Sequence, residues 1–222
     1  MTQFIGVGEN IHCTRVYKTD GKFVMKTGDG FAIPFKTGGT QRQLPVPKVF
    51  LDAADWAAGK VKHCAVAIWQ CGYGSGADRK TGEDYLAALA QAQEKAGASY
   101  LDINVDEFST DTAERVKLMD FTVRLVQKAS KLPMSIDSSN TDILRAGLSA
   151  CDRKRVAPML NSVSLERVSA VDLAADFKAA VVASAAGEHD LPCSTDGRMA
   201  NLARLIPQLT AKGIKTGAIH VD

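Results

Sequence analysis

A regular alternation of helix-like and strand-like runs occupies the chain from Glu83 to Asp222. Apolar residues at helical spacing in Glu83–Gly97 are followed by an apolar strand pattern in Ser99–Val105. The same pair recurs, with predicted strands at Pro133–Asp137, Val156–Ser164, Lys178–Ala185 and Lys215–Asp222. Strands separated by single helices form βαβ units, which build a parallel sheet. The sequence therefore predicts an α/β fold, as a β/α barrel or an open doubly wound sheet. The absence of a GxGxxG motif after the first predicted strand, Phe4–Ile11, argues against a dinucleotide-binding fold.

The composition excludes several broad classes of protein. A chain of 222 residues, 45% of them hydrophobic, fits one α/β domain. The formal net charge of +2 gives no indication of nucleic acid or an acidic membrane as a partner. No apolar stretch is long enough to span a bilayer, and the N-terminal stretch MTQFIGVGEN lacks the pattern of a signal peptide. The five scattered cysteines are typical of reduced thiols, so a cytoplasmic protein is expected.

Residues 13–81 differ from the rest of the chain. Their first part is rich in Gly, Thr and Lys, which predicts a hairpin or an extended excursion. Further along, the pattern predicts a short helix at Phe50–Val61, a strand at Cys64–Cys71 and a loop at Gly72–Gly82. The glycines of this loop are weak evidence for phosphate binding.

Polar side chains follow the predicted strands at the points where these end. In a β/α barrel such ends converge on one mouth, where functional groups come from several strands. Each alone is more often a helix N-cap or a turn residue, but together they form a mouth of carboxylates and carboxamides without Lys or Arg. Such groups suit the amide-like edge of a pterin or purine. The residues are Glu9, Asn10, Asp102, Asn104, Asp137, Asn161 and Asp222.

The segments GENIHCTR, YLDINVDEFS, MSIDSSN, AGLSACDRKRVAPMLNSVSLER and GAIHVD occur in this order. Together they resemble the pterin-binding methyltransferases, which include methyltetrahydrofolate:corrinoid methyltransferases and the folate domain of cobalamin-dependent methionine synthase, relatives of dihydropteroate synthase. The resemblance implies a (β/α)8 TIM barrel, of which this chain supplies about six strands. Residues 1–222 would then form one pterin-binding domain that ends within the barrel, with residues 13–81 as an insertion after the first strand.

The same resemblance implies a set of pterin-binding residues. Asp137 resembles the aspartate that grips the amino-pyrimidinone edge of the pterin, and Asn161 resembles an asparagine that contacts the same ring system. Asp222 resembles a later aspartate that completes the clamp. Supporting positions in the pocket are Glu9, Asn10, Asp102 and Asn104.

The activity implied is transfer of the N5 methyl group of 5-methyltetrahydrofolate to a Co(I) corrinoid. Tetrahydrofolate would be the cosubstrate, and a partner protein or domain would carry the cobalamin. Because cobalt is the nucleophile, no nucleophilic side chain is required, and no catalytic residue is assigned. Activity would require further C-terminal residues or a partner chain, and a homodimer is compatible with this expectation.

Three alternatives stay open. Dihydropteroate synthase joins a pterin diphosphate to p-aminobenzoate, but its second strand usually ends in a GGEST-type motif where this chain has DINV. A pterin-binding subunit without activity is the second. A zinc site near His12-Cys13 and His63-Cys64 is the third, although neither pair has standard ligand spacing, so no metal is predicted.

Overall fold

The computed structural model describes residues 5–222, which form strands, helices and connecting loops. The strands are β1 (Val7–His12), β2 (Val16–Lys18), β3 (Met25–Thr27), β4 (Gly30–Thr37), β5 (Thr40–Pro45), β6 (Lys60–Lys62), β7 (Tyr100–Asn104), β8 (Met134–Asp137), β9 (Met159–Val163), β10 (Ala180–Ala183) and β11 (Ile219–Val221). The α-helices are α1 (Lys48–Leu51), α2 (Ala54–Ala57), α3 (His63–Tyr73), α4 (Ala77–Lys95), α5 (Thr112–Ala129), α6 (Thr141–Ala150), α7 (Ser169–Phe177) and α8 (Thr195–Ala211).

Six strands form one parallel sheet in the order β1-β7-β8-β9-β10-β11. The order follows the chain without a reversal. A doubly wound sheet would contain a switch point where the order reverses, so this topology is that of a β/α barrel. The predicted α/β fold is confirmed, with six strands of the barrel in the described part of the chain.

One register row of this sheet is entirely apolar and supplies much of the core. Neighbouring strands place five fully buried side chains side by side in this row. The row consists of Ile11, Ile103, Ile136, Leu160 and Val181. Ile136 lies directly beneath Gly147 of α6, which shows that this face packs against the helices. Because side chains alternate along a strand, the next residues point to the opposite face.

The segment 13–81 contains more regular structure than its sequence predicts. Strands β3, β4 and β5 form a three-stranded antiparallel sheet, and β2 pairs with β6. The strand predicted at Cys64–Cys71 is wrong, because these residues lie in the buried helix α3. A short run of apolar residues has no period that separates a buried helix from a buried strand. Likewise, α4 begins at Ala77, within the predicted loop.

The small sheet packs directly onto α4. Phe35 of β4 meets Tyr85 of α4 edge to face, with ring centroids 5.1 Å apart. Arg42 of β5 forms an ion pair with Asp84 of the same helix. Buried residues of the small sheet, including Leu44, belong to the same hydrophobic cluster as the parallel strands. The described residues therefore share one core.

Three further findings concern the extent of β1, the cysteines and the polarity of the helices. The first strand was predicted from Phe4, which lies outside the described residues, to Ile11, whereas β1 continues to His12. All five cysteines are free thiols; Cys193 is exposed, and the other four are buried. Across residues 5–222, every helix is too short or too polar to cross a membrane.

Candidate functional site

A polar register row crosses the parallel sheet one position beyond the apolar row. His12 of β1 pairs with Asn104 of β7, Asn104 with Asp137 of β8, and Asp137 with Asn161 of β9. The row continues through Val182 to His220 of β11. His12, Asn104 and Asp137 are the last residues of their strands, and Asn161 lies in the middle of β9, two residues before its end. The row therefore lies toward the carboxyl ends of the strands, where barrel enzymes place their functional groups. Asn104, Asp137 and Asn161 are thus brought together, as the sequence predicts.

Asp137 is the half-buried carboxylate at the centre of this row. Its Oδ2 accepts a hydrogen bond of 2.9 Å from Asn104 Nδ2. Asn104 in turn accepts a 2.9 Å hydrogen bond from the backbone N–H of Asp106 at its Oδ1. Both ends of the Asn104 amide are therefore occupied, and this side chain holds Asp137 in place. Among residues 5–222, Asp137 Oδ1 has no hydrogen-bond donor.

Asp102 lies two residues before Asn104 on the same face of β7 and is fully buried. Its Oδ2 accepts a hydrogen bond from His12 Nε2, and its Oδ1 accepts one of 3.2 Å from Asn161 Nδ2. A buried carboxylate needs such partners, because an uncompensated one costs several kcal/mol. With both oxygens occupied, Asp102 is placed to orient its neighbours rather than to contact a ligand. Through these two hydrogen bonds, Asp102 connects its own strand, β7, to β1 and β9.

The electrostatics of Asp137 differ from those of an ordinary carboxylate. Its pKa is raised from 3.8 to about 6, first because burial penalises the charged form and then because Asp102 lies nearby. The hydrogen bond from Asn104 and the nearby His12 act in the opposite direction. A perturbed carboxyl in a row of converging polar groups is a marker of a functional site.

Asp106, in the loop after β7, connects this loop to the loop after β8 through hydrogen bonds. Its carboxylate accepts hydrogen bonds from Ser138 Oγ at 2.5 Å and from the backbone N–H of Ser139 at 2.8 Å. Asn140 follows as the N-cap of α6, with its Oδ1 accepting from the N–H groups of Asp142 and Ile143. Asn140, and not Asp137, thus caps α6, so that Asp137 is free for another role.

Arginines lie beside the strand ends, although the predicted tips carried none. Arg167 donates to Ser162 Oγ at 2.8 Å and to the carbonyl of Ser138 at 3.4 Å, next to the ends of β8 and β9. Arg115 donates to the carbonyl of Asp106 at 3.3 Å. Both residues come from later loops or helices, so the sequence of the strand ends does not include them.

Three predicted residues lie apart from the central row. Glu9 and Asn10 are exposed and occupy an irregularity between Gly8 and Ile11 of β1, and Glu9 forms an ion pair with Arg15. Because β1 continues to His12, it is His12 that supplies the β1 residue of the polar row, a position that the sequence assigned to Glu9 and Asn10. Asp222 is exposed at the end of β11, where its backbone pairs with β10, so β10 separates it from Asn161.

His12, Asp102 and Asp137 bring potential metal ligands within 4.8 Å of one another. The direct contact of His12 Nε2 with Asp102 needs a proton between the two atoms. His63, part of the zinc hypothesis, lies instead in an aromatic cluster, stacked on Tyr17 and hydrogen-bonded to Tyr85.

Comparison with known proteins identifies the family. The model of the family described as pterin binding enzyme matches residues 75–215, well over half of the chain. This chain belongs to the pterin-binding enzyme family. The matched range contains four of the six parallel strands, β7 to β10, and therefore Asp102, Asn104, Asp137 and Asn161.

Two solved structures of dihydropteroate synthases share the fold of this family member. One, from Yersinia pestis with a pterine-sulfa conjugate, is 20% identical, with a TM-score of 0.50 over 64% of this chain and 54% of that chain. The other, from Xanthomonas albilineans with indole-2-carboxylic acid and 6-chloroguanine, is 22% identical, with a TM-score of 0.50 over 67% of this chain and 55% of that chain. The chain thus spans little more than half of either neighbour.

Sequence reasoning missed two residues of this site. His12 appeared only in the zinc hypothesis, although its place at the end of an apolar strand is the same signal that identified the other tips. Asp106 lies two residues beyond Asn104, and its sequence context is that of a common acidic residue in a loop. Its role depends on contacts with the next strand end, which no local pattern shows.

Proposed function

We propose that this chain binds a reduced pterin at the polar row and acts in the transfer of a group to or from that ring system. The observation that carries the proposal is the register of Asn104, Asp137 and Asn161, which places a half-buried carboxylate and a carboxamide side by side at the strand ends. Membership of the pterin-binding enzyme family supports it. Neighbouring parallel strands are about 4.8 Å apart, a spacing that two groups on one heterocyclic edge can bridge.

The residues would act mainly by binding and orientation. The ionised Asp137 carboxylate would accept N–H groups of the amino-pyrimidinone edge, with Asn104 fixing the position of that carboxylate. Asn161 would contact the same edge. Holding the ring in one orientation lowers the entropic part of the barrier to group transfer.

The first candidate reaction is the dihydropteroate synthase type, in which the amine of p-aminobenzoate displaces diphosphate from a pterin. The fold shared with two dihydropteroate synthases is in keeping with this candidate. Arg167, beside the ends of β8 and β9, supplies the kind of cation that a leaving diphosphate needs.

The second candidate is methyl transfer from 5-methyltetrahydrofolate to a Co(I) corrinoid carried by a partner protein. The DIN sequence at Asp102–Asn104 favours it, because this segment resembles the methyltransferases. In that reaction N5 must gain a proton or a strong hydrogen bond as its bond to the methyl carbon breaks, and cobalt is the nucleophile.

Calorimetric titration tests the shared part of the proposal. The chain is titrated with 6-hydroxymethyl-7,8-dihydropterin and with 5-methyltetrahydrofolate, and the Asp137→Asn variant is titrated in parallel. Affinity is expected to fall at least about tenfold in that variant, because a charge-assisted acceptor is lost. Asp142→Asn, an equal charge change at an exposed position on α6, is the matched control. Absence of pterin binding would contradict the proposal. Equal affinities for the pterin in Asp137→Asn and Asp142→Asn would contradict it as well.

Two turnover assays then separate the candidates. Diphosphate release with p-aminobenzoate and the pterin diphosphate identifies the first reaction, and demethylation of 5-methyltetrahydrofolate by Co(I) cobalamin identifies the second. Pterin binding without turnover in either assay would instead indicate a binding subunit without activity of its own.

A further inference from the structure

The hydrogen bonds around Asp102 fix the direction in which the Asn161 amide points. A carboxylate accepts hydrogen bonds and donates none, so Asn161 must turn its NH₂ group toward Asp102 Oδ1, 3.2 Å away. This leaves Asn161 Oδ1 for a ligand. No donor among residues 5–222 is hydrogen-bonded to that oxygen.

The buried His12 holds Asp102 in this acceptor role. Its Nε2 contacts Asp102 Oδ2, so the carboxylate is held from β1 on one side and meets Asn161 of β9 on the other. Asp102 itself is inaccessible to solvent, so water cannot replace either partner. Within this arrangement the amide of Asn161 has one orientation.

We infer that Asp102 is a positioning residue that leaves only acceptors on the edge of the pocket formed by Asp137 and Asn161, so that this edge selects ligands by the direction of their hydrogen bonds. The inference rests on the proposed pterin binding. Asp137 Oδ1 and Asn161 Oδ1, on neighbouring strands, would both present oxygens to the ligand. A pterin offers its N3–H and its 2-amino group to them. Lumazine has the same shape but carries a carbonyl oxygen in place of the 2-amino group.

Competitive titration of pterin and lumazine tests this inference. A site built to accept from an N–H group strongly rejects an analogue that lacks it, so the protein is expected to prefer pterin about 100-fold or more. In the Asp102→Leu variant nothing fixes the Asn161 amide, which can then turn its NH₂ group to the lumazine oxygen. The preference for pterin is expected to fall at least about tenfold.

Ser135→Ala is the matched control. Ser135 is the register partner of Asp102 on β8 and is fully buried, and its hydroxyl makes no hydrogen bond within the described residues. The variant therefore alters the same buried layer without altering the orientation of Asn161. Its preference for pterin over lumazine is expected to remain that of the unmodified protein. Thermal unfolding followed by circular dichroism checks that each variant is folded.

The outcomes separate this inference from the proposed function. If Asp102→Leu is folded and keeps the full preference for pterin, the positioning role is overturned while pterin binding stands. If that variant does not fold, the isosteric Asp102→Asn takes its place, because an amide at this position can donate as well as accept. An unchanged preference for pterin in Asp102→Asn would also overturn the positioning role. If the unmodified protein binds neither compound, both the proposed function and this inference fail.

Discussion

At the scale of single residues, the Asp137 carboxylate is suited to ligand binding but does not stabilise the folded chain. It is half-buried beside the fully buried Asp102 and receives one hydrogen bond from the described residues, from Asn104. Its raised pKa records this cost, because the folded state disfavours the charged carboxylate. Residues that conflict with stability in this way tend to lie at functional sites.

Replacing this carboxylate is expected to stabilise the fold at neutral pH. The folded-state pKa of about 6 lies above the ordinary 3.8, so the favourable contribution of Asp137 is present below pH 3.8 and is lost as the pH rises through 6. Asp137→Asn should therefore raise the free energy of unfolding by about 1–2 kcal/mol at pH 8 and by almost nothing at pH 4. Urea unfolding at both pH values measures this. A loss of stability at pH 8 would contradict the assignment of a destabilising charge.

The same pKa predicts how pterin affinity depends on pH. The ionised form of Asp137 accepts the ligand N–H groups, and it becomes the minor form below about pH 6. Between pH 8 and pH 5 the affinity for pterin should therefore fall about tenfold. Calorimetric titration across this range gives the profile. The Asp137→Asn variant serves as the reference, since its weaker affinity should be flat over the same interval.

At the scale of elements, close contact between α6 and β8 keeps the second half of the site in register. Gly147 of α6 lies over Ile136 of β8, and a Cβ atom at this position would come within 2.5 Å of Ile136 Cγ2 and 3.0 Å of Met119 Cγ. The glycine thus permits an approach that any other residue would prevent. Asp137 follows Ile136 directly, so the position of α6 bears on the site.

The Gly147→Ala variant is expected to be destabilised by about 1–3 kcal/mol, because the added methyl group overpacks the contact. Helix propensity alone would predict a gain of about 1 kcal/mol, so the two effects have opposite signs. Ser149→Ala, at an exposed position of the same helix, is the control that should show no loss. A stabilised Gly147→Ala would show that the helix can move away from the strand at little cost.

The elements that sequence analysis predicts well are those with a clear period. From α4 to α8, amphipathic helices alternate with buried strands, and their order predicts a parallel sheet, whereas the barrel was implied by the family resemblance. Helix α3 was missed because the run Cys64–Cys71 is apolar on every side.

The end of β1 was misplaced by the irregularity between Gly8 and Ile11, which shifts the register so that His12 lies beside Asn104. The contacts of Asp102 with His12 and Asn161 span three strands, so they follow only from the assembled sheet.

At the scale of the whole molecule, the small antiparallel sheet and the parallel sheet share one hydrophobic core. Leu44 of β5 is fully buried within it. A segment that contributes to the common core should not unfold before the rest, because its loss would expose apolar surface on α4. The described residues are therefore expected to unfold as one cooperative unit.

Leu44→Ala tests this cooperativity. The cavity should lower the free energy of unfolding of the whole chain by about 2–5 kcal/mol. Tryptophan fluorescence, from Trp56 in α2 and Trp69 in α3, should change at the same denaturant concentration as the far-ultraviolet circular dichroism. Val49→Ala, at a position 54% exposed, is the control with little effect. Separate transitions for the two signals would indicate that the small sheet unfolds independently.

The uneven burial of the cysteines makes the native chain suitable for single-site fluorescent labelling. Burial raises the pKa of Cys71 and Cys151 to about 12 and also raises that of Cys13 and Cys64, so these thiols are protonated at neutral pH. The exposed Cys193, just before α8, should therefore take up one maleimide dye per chain without mutagenesis. Intact mass spectrometry should show one adduct on the native protein and five after denaturation. Several adducts on the native protein would reveal opening of the core on the timescale of the reaction.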